Sequence, residues 1–166
     1  MLVVSDTSPL NYLVWIEAID LLRVLYSRIA IPPEVQSELI VPDAPAAVRA
    51  WANHLPDWVE ICPTDLTLRD DPRWRFLDLG ERAALAVALT RQPAILLIDE
   101  RTGASVAREQ SVPVLGTLGV LDEAARRQLI SLPKAIERLK QTSFRYPKKI
   151  VSRLLEEDAL RPRGER

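Results

Sequence analysis

Four carboxylates stand in the sequence where they could share a metal ion. Asp6 and Asp99 each directly follow a short apolar run that is typical of a buried strand. Ligands of parallel α/β proteins bind beyond the carboxyl ends of the strands, so these two positions are functional candidates. Glu38 and Glu81 lie on predicted helices and could join them. Carboxylates gathered in one place need a cation between them, and Mg²⁺ and Mn²⁺ prefer such oxygen ligands.

The chemistry available to such a cluster is phosphodiester cleavage, in which divalent ions stabilise the attacking and leaving oxygens and activate a water. Each carboxylate also has a structural interpretation. Asp6 could cap the helix that follows it, and Glu81 could complement a helix dipole. Glu38 could be a surface residue, with Glu34 one turn earlier as a competing candidate. Asp99 could belong to an ordinary strand-to-helix turn.

An alternation of strands and helices is predicted around these residues. It favours a central parallel sheet with helices on both faces. The predicted strands are 2–5, 27–31, 58–62, 95–98 and 112–115. The predicted helices are 9–15, 17–26, one from Pro33, 45–53, 81–90, 102–109 and 117–127, with a loop over 63–76. Two amphipathic helices, 131–141 and 147–160, form a C-terminal helical extension.

Composition bounds the class of protein. The 166 residues contain 22 Lys and Arg against 23 Asp and Glu, and 48% are hydrophobic, which excludes a disordered chain and predicts one globular domain. The longest apolar run, 83–89, is far below the roughly 20 residues of a membrane span. The start of the chain lacks a basic segment, so no secretory signal and no membrane association are expected.

The single cysteine, Cys62, forbids an internal disulfide and fits a reducing, cytoplasmic location. One Cys and one His cannot build a usual zinc site, so any bound metal is expected to be a hard cation with oxygen ligands. Residues 1–120 carry a formal charge of −6 and residues 121–166 a charge of +5. The chain is thus an acidic body with a basic tail, and the tail could contact nucleic acid.

Five segments of the chain, in this order, resemble PIN-domain proteins: 4–10, 31–39, 77–81, 96–101 and 114–121. The similarity is greatest to a prokaryotic branch of nucleic-acid-binding proteins and VapC-like toxins. The resemblance implies a three-layer α/β/α PIN fold and a ribonuclease whose acidic cluster holds Mg²⁺ or Mn²⁺. We accordingly expect a PIN nuclease domain at 1–128, C-terminal helices at 129–160 packing on it, and a frayed tail at 161–166.

The resemblance also implies roles for individual residues. The catalytic and metal-binding carboxylates are Asp6, Glu38, Glu81 and Asp99. Ser8 would orient the first carboxylate. Glu100 is a further candidate metal ligand. A shift of one residue at the end of the strand would make Glu100, rather than Asp99, face the metal. Arg101 could contact a substrate phosphate, or pair with the adjacent carboxylates.

The activity that the resemblance implies is that of an endoribonuclease toxin. It would hydrolyse RNA with a metal-activated water, act as a homodimer and be inhibited by an antitoxin protein. One departure favours an alternative: Ala83 stands where a second acidic residue often occurs in this branch. With the net acidity of the chain, it motivates an inactive PIN-like module that binds RNA or protein.

Two other enzyme classes fit less well. A haloacid-dehalogenase-type phosphatase needs an Asp-x-Asp pair, and Ser8 stands at its second position. A receiver domain needs a lysine, and none occurs before Lys134. The loop 69–76 interleaves arginines with Trp74 and Phe76, which could line an RNA-binding rim or simply anchor the loop on the core.

Overall fold

The computed structural model describes residues 1–162 and contains one five-stranded sheet within them. All neighbouring strands are parallel, and their order is β3-β2-β1-β4-β5. The strands are β1 (Leu2–Ser5), β2 (Ile29–Ile31), β3 (Val59–Ile61), β4 (Ala94–Leu97) and β5 (Val114–Leu115). The predicted parallel α/β fold is therefore confirmed, with each strand inside or within one residue of its predicted range.

Helices flank this sheet and connect its strands. They are α1 (Thr7–Trp15), α2 (Asp20–Tyr26), α3 (Pro33–Leu39), α4 (Ala46–Asn53), α5 (Leu66–Arg69), α6 (Leu79–Thr90), α7 (Arg101–Glu109), α8 (Thr117–Arg126), α9 (Leu132–Lys140) and α10 (Lys148–Ala159). β2 and β3 extend the sheet on one side of β1, and β4 and β5 extend it on the other. Right-handed crossovers then put the connecting helices on opposite faces, which gives a three-layer arrangement.

The core is built on the middle strands of the sheet. Val4, Ala30 and Leu96 are fully buried and lie on three adjacent strands. Burial on both faces explains why these strands are continuous apolar runs rather than alternating ones. The direction of the strand order reverses at β1, so the carboxyl ends of β1 and β4 flank the crevice where such sheets bind ligands.

The C-terminal helices α9 and α10 contact each other and α8. Their buried residues, Leu132, Ile136, Leu139, Val151 and Leu154, belong to the same hydrophobic core as the sheet. Arg161 follows α10 and its guanidinium lies 2.5 Å from Asp122 on α8. Of the predicted frayed tail 161–166, residues 163–166 lie outside the described part of the chain.

The segment 63–76, predicted as a loop, contains short helical turns. Asp65 caps α5 by accepting a hydrogen bond from the backbone of Leu68, and Asp71 caps a 3-10 turn at 72–74 through the backbone of Arg73. Such caps satisfy backbone donors locally, and sequence periodicity does not detect turns this short. Trp74 is 3% exposed and anchors the segment, whereas Phe76 is 63% exposed and does not.

Within residues 1–162, no helix combines the length and the hydrophobicity that a membrane span requires.

Candidate active site

The two strand-end carboxylates lie on neighbouring strands. β1 and β4 pair in parallel, with Ser5 opposite Leu97, and the backbone N–H of Asp6 donates to the carbonyl of Leu97 at 2.9 Å. Asp6 and Asp99 therefore leave the same edge of the sheet, where the strand order reverses. Ligands of parallel α/β sheets bind at this position.

Asp6 is buried without a hydrogen-bond partner for one of its oxygens. Its residue is 4% exposed, and Oδ1 has no donor within the described residues. The residue occupies the N-cap position of α1, yet its side chain makes no capping hydrogen bond. Burial raises the pKa of the Asp6 carboxyl well above its usual range, and nearby Asp78, Glu81 and Glu38 raise it further. A helix cap therefore does not account for Asp6.

Glu38 reaches the same place from α3 and is held by two donors. The Thr7 hydroxyl donates to Oε2, and the backbone N–H of Gly80 donates to Oε1 at 2.9 Å. A Cβ atom at Gly80 would collide with the Glu38 carboxylate, so the absence of a side chain there permits the approach of α6. Burial raises the pKa of Glu38, and the charge of Asp78 adds to the effect.

The competing candidate, Glu34, is engaged elsewhere. Arg69 lies 2.8 Å from one of its oxygens, and the Thr64 hydroxyl donates to the other at 2.8 Å. These contacts tie α3 to the 63–76 segment. Between the two glutamates of α3, the structure thus brings Glu38 to Asp6 and directs Glu34 to an ion pair.

Glu81 lies in the first turn of α6 and forms a capping box with Asp78. Oδ1 of Asp78 accepts from the Glu81 backbone at 2.8 Å, and Oε2 of Glu81 accepts from the Asp78 backbone at 3.1 Å. Glu81 is 5% exposed. Burial raises the pKa of Glu81 to about 7, with further contributions from the charges of Asp78, Glu100 and Glu38. Glu81 is thus both a structural cap and a member of the acidic cluster.

Asp78 itself belongs to the cluster and was not a predicted site residue. Oxygens of Asp6, Glu38 and Asp78 lie within 4.8 Å of one another, a spacing that one cation could bridge. The sequence signal for Asp78 is the pattern Asp-x-x-Glu before an apolar helix. That pattern predicts a capping box, which the structure contains. It does not indicate that the carboxylates of Asp6 and Glu38 lie close to Asp78.

Among the described residues, Asp99 lies outside the group of Asp6, Glu38 and Asp78, and the start of α8 binds it instead. Its two oxygens accept from the backbone N–H and the hydroxyl of Thr117, both at 2.7 Å. Burial raises the pKa of Asp99, and the hydrogen bonds from Thr117 oppose that shift. Thr117, which is fully buried, is a supporting residue that sequence reasoning missed.

The structure gives the other predicted residues distinct positions. Glu100 is the N-cap of α7, where its side chain accepts from the backbone of Gly103 at 2.8 Å. Arg101 begins α7, is exposed, and makes no ion pair within residues 1–162. Ser8 makes no side-chain hydrogen bond in that part of the chain. The neighbouring hydroxyl of Thr7 instead donates to Glu38.

The negative charge of the site is not balanced by protein cations. Within residues 1–162, no Lys or Arg forms an ion pair with any carboxylate of the candidate site: Asp6, Glu38, Asp78, Glu81, Asp99 or Glu100. The buried, unpartnered oxygen of Asp6 needs a ligand that replaces its lost water. A set of carboxylate oxygens suits a hard divalent cation, so the residues present fit Mg²⁺ or Mn²⁺.

Comparison with known proteins identifies the family. A protein-family model described as a PIN domain (DUF3368) matches residues 2–159. No curated protein and no solved structure matches the chain. The matched segment includes all five strands and every carboxylate of the cluster. Because it extends from the first strand to the last helix, the protein belongs to the PIN-domain family, whose members are generally nucleases.

Proposed function

We propose that the protein is an endoribonuclease that depends on Mg²⁺ or Mn²⁺ and acts as the toxin of a toxin-antitoxin pair. The observation that carries the metal dependence is the buried, unpartnered oxygen of Asp6 inside a cluster of carboxylates that lacks an ion-paired Lys or Arg within residues 1–162. The resemblance to VapC-like toxins supports RNA as the substrate. The antitoxin, a homodimer and a cytoplasmic location remain predictions from the sequence.

A bound divalent cation would supply charge stabilisation for the phosphodiester and lower the pKa of a water. The chain's own residues prepare the place for it. Glu38 is fixed by Thr7 and Gly80, and Asp99 is fixed by Thr117. These contacts hold the carboxylates in position before any ligand arrives, which reduces the cost of organising the site.

Substrate contact is assigned to Arg101 in this proposal. Its guanidinium is exposed at the start of α7, two residues after Asp99, and it has no ion-pair partner within residues 1–162. An arginine in that state can make bidentate hydrogen bonds to a phosphate. Arg69, Arg73 and Arg82 each form ion pairs with acidic residues of the protein.

The test is RNA cleavage by the purified full chain, with Mn²⁺ or Mg²⁺ and with EDTA. Wild-type protein is expected to cleave single-stranded RNA only with the metal. Asp6→Asn should abolish cleavage and retain a folded protein, because the amide removes the charge and changes little in volume. Asp43→Asn, an exposed aspartate outside the cluster, is the matched control. Cleavage by Asp6→Asn at the wild-type rate would refute the assignment.

The toxin role needs a separate experiment in cells. Induced expression of the wild-type chain is expected to arrest growth, and Asp6→Asn is expected to relieve the arrest. Growth that is unaffected by wild-type protein, together with active cleavage in vitro, would refute the toxin role and leave the nuclease.

The second candidate function is an inactive PIN-like module that binds RNA or protein. The observation that favours it is Ala83, a fully buried alanine where the family branch often has an acidic residue. Calorimetry with Mn²⁺ separates the two functions. A folded wild-type protein that shows no heat of Mn²⁺ binding would favour the binding module.

A further inference from the structure

Asp78 uses only one of its two carboxylate oxygens to cap α6. Oδ1 accepts the backbone N–H of Glu81 at 2.8 Å, and no other hydrogen bond to the Asp78 side chain is found within residues 1–162. An N-cap needs a single acceptor oxygen, so the second oxygen is available to another ligand. The residue is exposed, and its charge is therefore open to solvent on one side.

Asp78 lies close to two other carboxylates. Its oxygen lies in one group with oxygens of Asp6 and Glu38, all within 4.8 Å of one another. Of the clustered carboxylates, it is the one whose charge acts on all three of Asp6, Glu38 and Glu81. Asp78 is thus close enough to act on all three of these carboxylates from the start of α6.

A second observation points independently to a ligand at this place. Oδ1 of Asp6 is buried and has no donor within the described residues, and Asp6 is 4% exposed. A buried carboxylate oxygen without a donor carries a large desolvation cost. Contact with a cation would remove that cost. Glu38 and Asp78 lie close enough to Asp6 to bind the same cation.

The first turn of α6 holds this arrangement rigidly. Backbone N–H groups of Gly80 and Glu81 donate to the carboxylates of Glu38 and Asp78, respectively, and the Glu81 carboxylate accepts from the backbone N–H of Asp78. The N-terminus of the helix therefore fixes both carboxylates with donors that every helix leaves unsatisfied.

We propose that Asp78 is a direct ligand of the divalent cation, and that the ion binds between Asp6, Glu38 and Asp78. The inference rests on the metal dependence in the proposed function. It makes the N-cap of α6 part of the metal site, so one side chain both starts the helix and binds the ion.

The experiment compares Mn²⁺ binding by the full-length wild type, Asp78→Asn and Asp65→Asn, by calorimetry. Asn is as good an N-cap as Asp, so Asp78→Asn keeps the helix start and removes only the charge. Asp65 is the matched control, because it caps α5 with the same geometry and lies outside the cluster. Mn²⁺ affinity is expected to fall at least about tenfold in Asp78→Asn. It is expected to stay at the wild-type value in Asp65→Asn.

Thermal unfolding in EDTA checks that the variants are folded. If Asp78→Asn unfolds, Asp78→Ser takes its place, since Ser caps a helix and has no carboxylate. An unchanged Mn²⁺ affinity in a folded Asp78 variant would overturn the inference. A wild type that binds no Mn²⁺ would overturn both this inference and the metal-dependent function. A wild type that binds Mn²⁺ but cleaves no RNA, with binding lost in Asp78→Asn, would support the inference and refute the proposed function.

Discussion

Replacing Glu81 with Gln is expected to stabilise the metal-free protein at neutral and alkaline pH. Glu81 is 5% exposed and lies beside Asp78, Glu100 and Glu38, so its ionisation in the folded state is unfavourable. Gln keeps the size of the side chain and an oxygen that can accept from the Asp78 backbone. The substitution therefore removes the charge and preserves the capping box.

The size of the effect follows from the change in pKa. A shift from 4.5 to about 7 corresponds to a ceiling of about 3 kcal/mol in the free energy of unfolding. Solvent reaches part of the cluster through the exposed Asp78, and screening reduces this to about 1–2 kcal/mol. For a domain of this size, that corresponds to a rise of about 3–6 °C in Tm.

The direction of the pH dependence is also fixed. The pKa of Glu81 is higher in the folded than in the unfolded protein, so the folded state binds the proton more tightly. The destabilisation of the wild type is absent below pH 4.5, grows as the pH rises and is complete above about pH 7. The two proteins should have equal stability at about pH 4 and differ most at about pH 8.

The assay is thermal or urea unfolding in EDTA over this pH range. Glu109→Gln, an exposed glutamate on α7, is the control for loss of a surface charge. A Glu81→Gln protein that is no more stable than the wild type at about pH 8, or whose advantage does not depend on pH, would refute the electrostatic reasoning. Adding Mn²⁺ should reverse the order, because the wild type binds the ion more tightly.

Two further predictions concern the residues that hold the carboxylates. Gly80→Ala should weaken Mn²⁺ binding in calorimetry, because the added Cβ collides with the Glu38 carboxylate. The loss of binding is expected even though Ala is more favourable than Gly in a helix by about 1 kcal/mol. An unchanged Mn²⁺ affinity would contradict the proposed collision with Glu38. Thr117→Val should reduce RNA cleavage about tenfold, because Asp99 loses one of its two donors, and Thr117→Ser should restore it. Equal cleavage by the Val and Ser variants would exclude a role for the hydroxyl.

Most of the fold could be predicted because its signals are local. The apolar runs that form β1 and β4 are bounded by polar residues, and the helices between them have clear periodicity or proline starts. A parallel sheet then places Asp6 and Asp99 at one edge without further information. Local sequence patterns did not predict α5 or the 3-10 turn at 72–74, because each is a single turn held by an aspartate cap.

The parts of the site that could not be predicted depend on contacts between distant segments. Glu34 and Glu38 are one turn apart on α3, and the choice between them depends on Arg69 and Gly80. Asp78 has the sequence pattern of a helix cap. Its closeness to Asp6 and Glu38 depends on how the fold places β1 and α3 beside α6. Thr7 and Ser8 are adjacent hydroxyl residues, and it is the Thr7 hydroxyl that donates to Glu38.

The position of β1 in the sheet also determines when the site can form during synthesis. β1 is made first, but Leu2 pairs with Ala94 and Ser5 with Leu97, so one edge of the strand stays open until those residues leave the ribosome. At about 5–20 residues per second, that interval is roughly 5–20 s. Leu97, whose carbonyl accepts from the backbone N–H of Asp6, and the segment that carries Asp99 arrive together at the end of this interval. A nascent chain therefore cannot bring Asp6 and Asp99 to the same edge of the sheet until β4 has been synthesised.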